Sequence, residues 1–494
     1  MSDSPAATQN EGLSRPHLRV ATSTVALVAS SAVSALLGVI AIYEITHILG
    51  SKGYGYLGIV INFISISMLF ADLGINTYSG REIARDRSQA AAILSQNLGL
   101  RLVLSVIMIP AVIGIGILVY PHEHGPLIEG IVIVSLAIPF EAMRAVTLSY
   151  YVASIQNYKT AMIGVFTTAI YVSGVVISLH LGYGLTGCFL SYLGALVLTG
   201  FLAYFSVRRT VKFIPRIVMS AWRELLQNSL GIGAIQIVNV LYLRTNILLL
   251  SVMTNAQTVA QYVVAASIVT FLLVIPNAYM TSLLPLIVTA VPDKIAGLIN
   301  TASSYMALIG ALAVAGTITV ATDLVSGLAP HAQFGGSIEV LSILSASVLF
   351  TCLTSVFTYA SFARDHHRGL LFISGGGLLT NVLLDLELIP AFGARGAAIA
   401  TVIVEALLLL GAFLMFRRRV GRHVTVWARL ARIYLVGGVV AVVGRLAIDP
   451  ALPAGKLRLA VGLVAIPVLF LALAVPLRCL PTPLRSIYRG LRQG

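Results

Sequence analysis

About fourteen stretches of this chain, each about 18–27 residues long and almost entirely apolar, are separated by short loops. A run of ~20 apolar residues rising 1.5 Å per residue matches a hydrocarbon layer ~30 Å thick. Hydrophobic residues make up 58% of the 494 and charged residues only 10%, too little polar surface to cover a soluble protein of this length. Helices satisfy their own backbone hydrogen bonds in lipid, so the pattern predicts an all-α membrane protein.

The expected spans are 22–48, 56–79, 92–119, 127–150, 160–180, 185–206, 226–252, 258–290, 300–326, 338–361, 370–390, 396–416, 433–449 and 457–476. Segment 258–290 is longer than a crossing needs, which predicts tilt or extension past the interface. The first apolar segment is too long for a signal-peptide core and is expected to be a retained span. An even number of spans puts both termini on one side. Loops on that side carry 24 of the 32 Lys and Arg, and the opposite loops only Lys52, Arg395, Lys456 and Arg458. That asymmetry predicts cytoplasmic termini. It also accounts for the +14 net charge through topology and anionic headgroups. The basic residues are scattered over eight segments, which argues against nucleic acid as a partner.

Cys188, Cys352 and Cys479 have no metal-ligand spacing, so neither a metal site nor a disulfide framework is expected. His366 and His367 are expected in a solvated loop. Gly375–Gly377 lacks the Lys-Ser/Thr that a phosphate loop requires.

Residues 184–209 begin Gly184-Leu-Thr-Gly187 and end Arg208-Arg209; residues 393–418 begin Gly393-Ala-Arg-Gly396 and end Arg417-Arg418, at an offset of 209. This points to an internal duplication of six spans. Six being even, the two halves enter from the same side, and parallel bundles of this kind can enclose a central cavity. The expected organisation is a disordered N-terminus (1–21), a six-helix bundle (22–206) and a basic amphipathic linker (207–225). A second six-helix bundle (226–416) follows, then a basic connector with two accessory helices (417–476) and a basic tail (477–494).

Leu49-Gly-Ser-Lys-Gly-Tyr-Gly-Tyr-Leu57, Phe70-Ala-Asp-Leu-Gly-Ile75 and Arg81-Glu-Ile-Ala-Arg85 stand in that order in the first half. Tyr242-Leu-Arg-Thr-Asn-Ile-Leu-Leu-Leu250, Val259-Ala-Gln-Tyr262, Ile275-Pro276 and Leu284-Pro285 follow in the second. This succession resembles the polysaccharide flippases, exporters of lipid-linked O-antigen and exopolysaccharide units in the multidrug/oligosaccharidyl-lipid/polysaccharide superfamily. The resemblance covers nearly the whole chain, including a 12+2 plan of spans. It implies a transporter in the bacterial inner membrane that moves a polyprenyl-diphosphate-linked oligosaccharide to the outer leaflet by alternating access. A proton or sodium gradient would drive it, with no bound cofactor. Membrane lipids, a polysaccharide polymerase and glycosyltransferases would be its partners. The family often has an acid beside the seventh-span arginine; here the stretch reads Arg244-Thr245-Asn246, so that coupling role does not carry over.

Charges within a span are costly, which makes each a candidate site. Arg101, roughly 14 Å deep in its span, with Asn97 a turn before it, is a candidate contact for the diphosphate or a sugar. Snorkelling or helix–helix bonding is the simpler alternative. Arg244 and Asn246 are substrate candidates in the seventh span, although at 100° per residue Arg244 points away from Asn239, Tyr242 and Asn246. Arg144 is a further substrate candidate, but Glu141 lies three residues before it and the two can neutralise each other. Glu405, near mid-span with no charged sequence neighbour, is the leading candidate for ion coupling, followed by Glu141 and Asp72. Asp72 can instead pair with Arg81 or Arg85. Glu44, Asp323, Asp385, Glu387 and Arg445 are expected at the interface. The competing functions are a peptidoglycan-precursor flippase, a cation-coupled multidrug exporter and, in another class, a membrane glycosyltransferase or ligase. No loop exceeds about 20 residues and no acidic pair sits at an interface. Those absences speak against an enzyme.

Overall fold

The computed structural model describes residues 29–477 and 479, except 122, 124, 290–291, 364–366, 420–426 and 452–454. The expected N-terminal tail, His366 and almost all of the C-terminal tail lie outside the described residues. Within them the chain is almost entirely helical and has no strand. The first unit holds α1 (Ala29–Ile48), most of α2 (Gly50–Asp72), α3 (Ile75–Arg85), α4 (Ala90–Val119), α5 (Pro126–Ser135), α6 (Ile138–Ala153), α7 (Asn157–His180) and α8 (Gly184–Arg208). Helix α9 (Met219–Met253) belongs to that unit up to Leu241 and to the second from Tyr242. The second unit also takes Gly50–Gly55 and continues with α10 (Ala256–Leu272), α11 (Val274–Thr289), α12 (Pro292–Leu328) and α13 (His331–Phe362). It ends with α14 (His367–Phe392), α15 (Ala394–Arg419), α16 (Trp427–Ala451) and α17 (Lys456–Ala474). Among the described residues thirteen helical stretches are long and apolar enough to cross a bilayer. The pair α5–α6, bent by 41°, makes a fourteenth.

Where the boundaries differ from the hydropathy pattern, a local backbone cause is visible. The second span starts at Gly50 rather than 56 and ends at Asp72, because Leu73 (φ 44°) and Gly74 (φ 77°) take left-handed conformations. An apolar window cannot see such a turn. Gly74 also lies against the backbone of Ser229 and Gly233 of α9, where a Cβ would not fit. The over-long segment 258–290 forms one continuous stretch, Ala256–Thr289, with a one-residue interruption. The interruption falls at Leu273, and α11 takes Pro276 into its first turn, where the missing N–H costs nothing. Pro139 does the same at the start of α6.

Both copies of the duplicated motif form the same device. Gly184 (φ 55°) and Gly393 (φ 58°) open α8 and α15. Three residues on, Gly187 packs against Ser178 and Tyr183, and Gly396 against the backbone of Leu388, so each helix lies tightly on the one before it. Many hydroxyls inside the spans return to their own helices: Ser105 donates to the Arg101 carbonyl (2.6 Å) and Thr199 to that of Ala195 (2.6 Å). A bilayer offers them no water as a partner.

The accessory pair α16–α17 packs on α12, with Gly437 against Ala311, Gly444 against Thr319 and Gly462 against Val320. Asp323, expected near an outer span end, is buried within the protein. It accepts from the backbone N–H of Gly455 (2.7 Å) and from Arg458 Nε (2.6 Å), so one carboxylate both caps α17 and pairs with its arginine.

Candidate functional site

The expected site residues fall into two buried clusters, one in each unit. In the first, α2 ends with Asp72, and Arg101 of α4 reaches it at 3.5 Å while also donating to the Ala142 carbonyl (3.4 Å). The Arg101 side chain is only 3% exposed. Asp72 thus pairs with Arg101 rather than with Arg81 or Arg85; Arg85 pairs with Glu82 at 3.0 Å. On α6 the Arg144 guanidinium makes a bidentate fork with Glu141, both bonds 2.7 Å. Spacing of three on a helix brings them to one face, and the planar fork matches a carboxylate. Arg101 lies within electrostatic reach of Asp72, Glu141 and Arg144. The four charges therefore form one group with two of each sign.

Neutral polar contacts tie α3 to α4 and to α9 in the same unit. Asn97, fully buried, donates to Ser79 Oγ (2.9 Å) and Asn76 Oδ1 (3.3 Å). From the first half of α9, Gln236 donates to Thr77 Oγ1 (2.6 Å) and Asn228 to the Tyr78 hydroxyl (3.2 Å). Helix α3, redirected by the Leu73–Gly74 turn, supplies Asn76, Thr77, Tyr78 and Ser79 together.

The second cluster is built differently. Tyr242 donates to Glu405 Oε1 (2.8 Å), and Thr351 of α13 is a second hydrogen-bond partner of that carboxylate. One turn along the same helices, Asn246 donates to Thr401 Oγ1 (2.6 Å) and to the Tyr262 hydroxyl (2.8 Å). Helix α14 adds Asn381 and Asp385, 1% and 0% exposed, whose side-chain oxygens and amide nitrogen make no hydrogen bond. Asp385 lies within electrostatic reach of Tyr242 and Tyr262. Arg244 is half-buried on α9. Glu405 and Asn246, both expected as candidates, are brought together here. Asp385, expected near an outer span end, is buried within the protein, and the sequence alone did not mark Asn381, Tyr262, Thr351 or Thr401 as site residues. A signal for Asn381, Asp385 and Thr401 existed. Tyr242/Asn246, Asn381/Asp385 and Thr401/Glu405 are each polar pairs four apart within apolar spans, the spacing that puts both members on one helix face.

Buried polar groups without partners are rare in proteins, and Asp385 carries two such oxygens next to an orphaned amide. Acceptor oxygens left open beside polar side chains are a chemistry suited to a proton or a small cation. Among the described residues no group of three or more His, Cys, Asp and Glu could hold a metal ion.

Such a chain, with thirteen helical stretches among the described residues long and apolar enough to cross a bilayer and a few charges buried inside them, is a multi-pass membrane protein. It belongs to the polysaccharide biosynthesis protein family, whose sequence profile matches residues 20–291, more than half of the chain. No curated protein matches it in sequence. The fold is shared with the lipid II flippase MurJ in its inward closed conformation, at 13% identity and a TM-score of 0.69, over 92% of this chain and 99% of that one. It is shared as well with a multidrug resistance MATE transporter of the MOP superfamily in its outward-facing form (16% identity, TM-score 0.60, 81% and 95% covered). A MOP superfamily transporter from Pyrococcus furiosus is similar to the same degree (15% identity, TM-score 0.59, 81% and 95% covered).

Proposed function

We propose that the protein flips a polyprenyl-diphosphate-linked oligosaccharide, a precursor of a cell-surface polysaccharide, from the cytoplasmic to the outer leaflet of a bacterial inner membrane. The observation that carries this is the coincidence of a polysaccharide biosynthesis family with a fold that a lipid II flippase shares. A diphosphate head cannot enter hydrocarbon without partners, since an unpaired buried charge costs several kcal/mol or more. Arg101 and Arg144 supply such partners. At rest each is held by a carboxylate, and as the arriving phosphates displace Asp72 and Glu141 these must take up a proton or reach water so that no unpaired charge is left buried. Asn97 serves the sugar side as a neutral donor. In the second unit, Asn246 holds the Tyr262 and Thr401 hydroxyls in place beside Glu405 and Asp385, which take the driving proton or sodium ion. Arg244 is the remaining candidate phosphate contact. Both termini face the cytoplasm, the side with most of the basic residues. The protein carries no catalytic group for sugar transfer in this reading, and a polymerase and glycosyltransferases would work on either side of its step.

A second reading, a flippase for the peptidoglycan precursor, is favoured by the likeness to MurJ alone. One experiment separates the two. In cells lacking their own polysaccharide flippase, the chain should restore surface glycan and drain the accumulated lipid-linked intermediate, while failing to rescue cells depleted of lipid II flipping. The reverse pattern replaces the first reading with the second, and restoration of neither removes both. A neutralised quartet (Asp72→Asn, Arg101→Gln, Glu141→Gln and Arg144→Gln together) should insert normally yet lose export. Export at the wild-type rate would take the phosphate contacts away from these arginines.

A further inference from the structure

The ten residues 209–218 between α8 and α9 are not helical, yet they are firmly placed within the first unit. Arg216 N–H donates to the Ser95 carbonyl of α4 (3.0 Å), and the Tyr204 hydroxyl donates to the Phe213 carbonyl (3.3 Å). Phe213 is 2% exposed, packed with Leu94, Leu98, Tyr151 and Tyr204. Gly99 is what lets the strap approach, because a Cβ there would run into the backbone of Arg216. Pinned in this way, the strap closes over a cavity of about 430 Å³ lined by Ser95, Arg208, Lys212, Phe213, Ile214 and Arg216.

Three cations and no carboxylate line that cavity. Among the described residues no acid pairs with Arg208, Lys212 or Arg216, in contrast to the compensated arginines of the quartet. Arg208 is further held over the Tyr204 ring, 5.7 Å from its centroid. Such a group is built for an anion with several oxygens, which guanidinium forks bind best. The rim narrows the choice of anion. Ile214, Ile217, Val218 and Met219 are 48%, 73%, 37% and 73% exposed along the same strap. In water that apolar row would be a liability. At the boundary of headgroups and acyl chains, basic and apolar groups side by side are both satisfied. A free phosphate would need only the cations; a lipid needs both.

We propose that this cavity binds the phosphodiester of an anionic phospholipid. Arg208, Lys212 and Arg216 hold the phosphate, and the acyl chains run along Ile214, Ile217 and Met219. The inference does not rest on the transported substrate, and none of these residues belongs to either buried cluster. Lipid-bound mass spectra of the full chain, purified in detergent and titrated with phosphatidylglycerol, test it. Wild-type protein should retain one phosphatidylglycerol more tightly than phosphatidylcholine. The Arg208→Gln/Lys212→Gln/Arg216→Gln variant should bind it about tenfold or more weakly, as removal of three surface cations implies. Charge-conserving Arg208→Lys/Lys212→Arg/Arg216→Lys should keep most of the affinity. Should the neutral triple variant fail to purify, Lys212→Glu, a single change at an exposed side chain, must still weaken binding. Equal retention in the neutral variants overturns the proposal. So does displacement of the lipid by millimolar inorganic phosphate, which would mark a free-anion site. Stronger retention of undecaprenyl phosphate than of phosphatidylglycerol would overturn it too, since the site would then receive a polyprenyl lipid.

Discussion

The two units solve the problem of charge inside a membrane in opposite ways. In the first, the acids of the cluster, largely but not fully buried, each have a basic partner: Asp72 with Arg101, Glu141 with Arg144. In the second, Glu405 is held by hydroxyls alone and Asp385 by nothing among the described residues. A compensated quartet is stable as it stands and can exchange one anion for another. An uncompensated carboxylate in a polar cluster favours taking up a positive charge. The first arrangement suits an anionic cargo and the second a driving cation, which is why we assign the two roles to different units.

Breaking a pair in the first unit should give the largest effect. Arg101→Ala leaves Asp72 without its guanidinium, and losing one partner of a buried pair costs about 3 kcal/mol. Adding Asp72→Asn should recover most of that loss. Thermal unfolding of the detergent-purified single and double variants measures both. Additive losses would mean that the two side chains do not act as a pair.

Asp385→Asn should have the opposite sign. Removing a buried charge that makes no hydrogen bond relieves a desolvation penalty of about 1–3 kcal/mol, so the variant should melt at the same temperature or higher. Its transport should at the same time lose its dependence on the pH or sodium gradient in proteoliposomes. A clear drop in melting temperature would show that Asp385 has a partner that stabilises it, and the contrast between the units would fail. Tyr242→Phe should cost less, about 1 kcal/mol for one hydrogen bond to a carboxylate that retains Thr351. The measurable sign would be a shift in the pH at which turnover is half-maximal, and an unchanged profile would separate Glu405 from coupling.

The number of spans and the all-helical class were legible because apolar length is a property of a window, and a window of about 20 residues averages out local irregularity. Breaks at Leu73–Gly74 and at Leu273 were not, since each depends on a few backbone angles that hydropathy does not register. The same division holds at the site. Arg101, Arg144, Glu141, Asn97, Asn246 and Glu405 stood out as polar residues in apolar runs. Their pairing across helices did not, apart from Glu141–Arg144, which lies within one turn. The burial of Asp385 was not legible for a simpler reason: distance from a span end says how deep a residue lies in the membrane, and burial depends on which neighbours cover it.

A solvated acid sharpens the comparison from outside both clusters. Asp86, exposed at the end of α3, accepts from Ser88 Oγ (2.6 Å), Ser88 N–H (2.9 Å) and Gln89 Nε2 (2.9 Å). The Ser88 bonds first, then that from Gln89, hold its carboxyl below the ordinary value of 3.8. A depressed folded-state value means that the turn gains stability above the ordinary value and loses it as the pH falls through the lowered one. Hydrogen exchange at the Ser88 amide should therefore accelerate relative to its intrinsic rate only in acid, and Asp86→Ala should accelerate it at neutral pH, with the melting temperature unmoved. If instead the whole protein loosens in step with this turn, Asp86 belongs to the folding unit of the quartet, and the line drawn between solvated and buried acids of the first unit is in the wrong place.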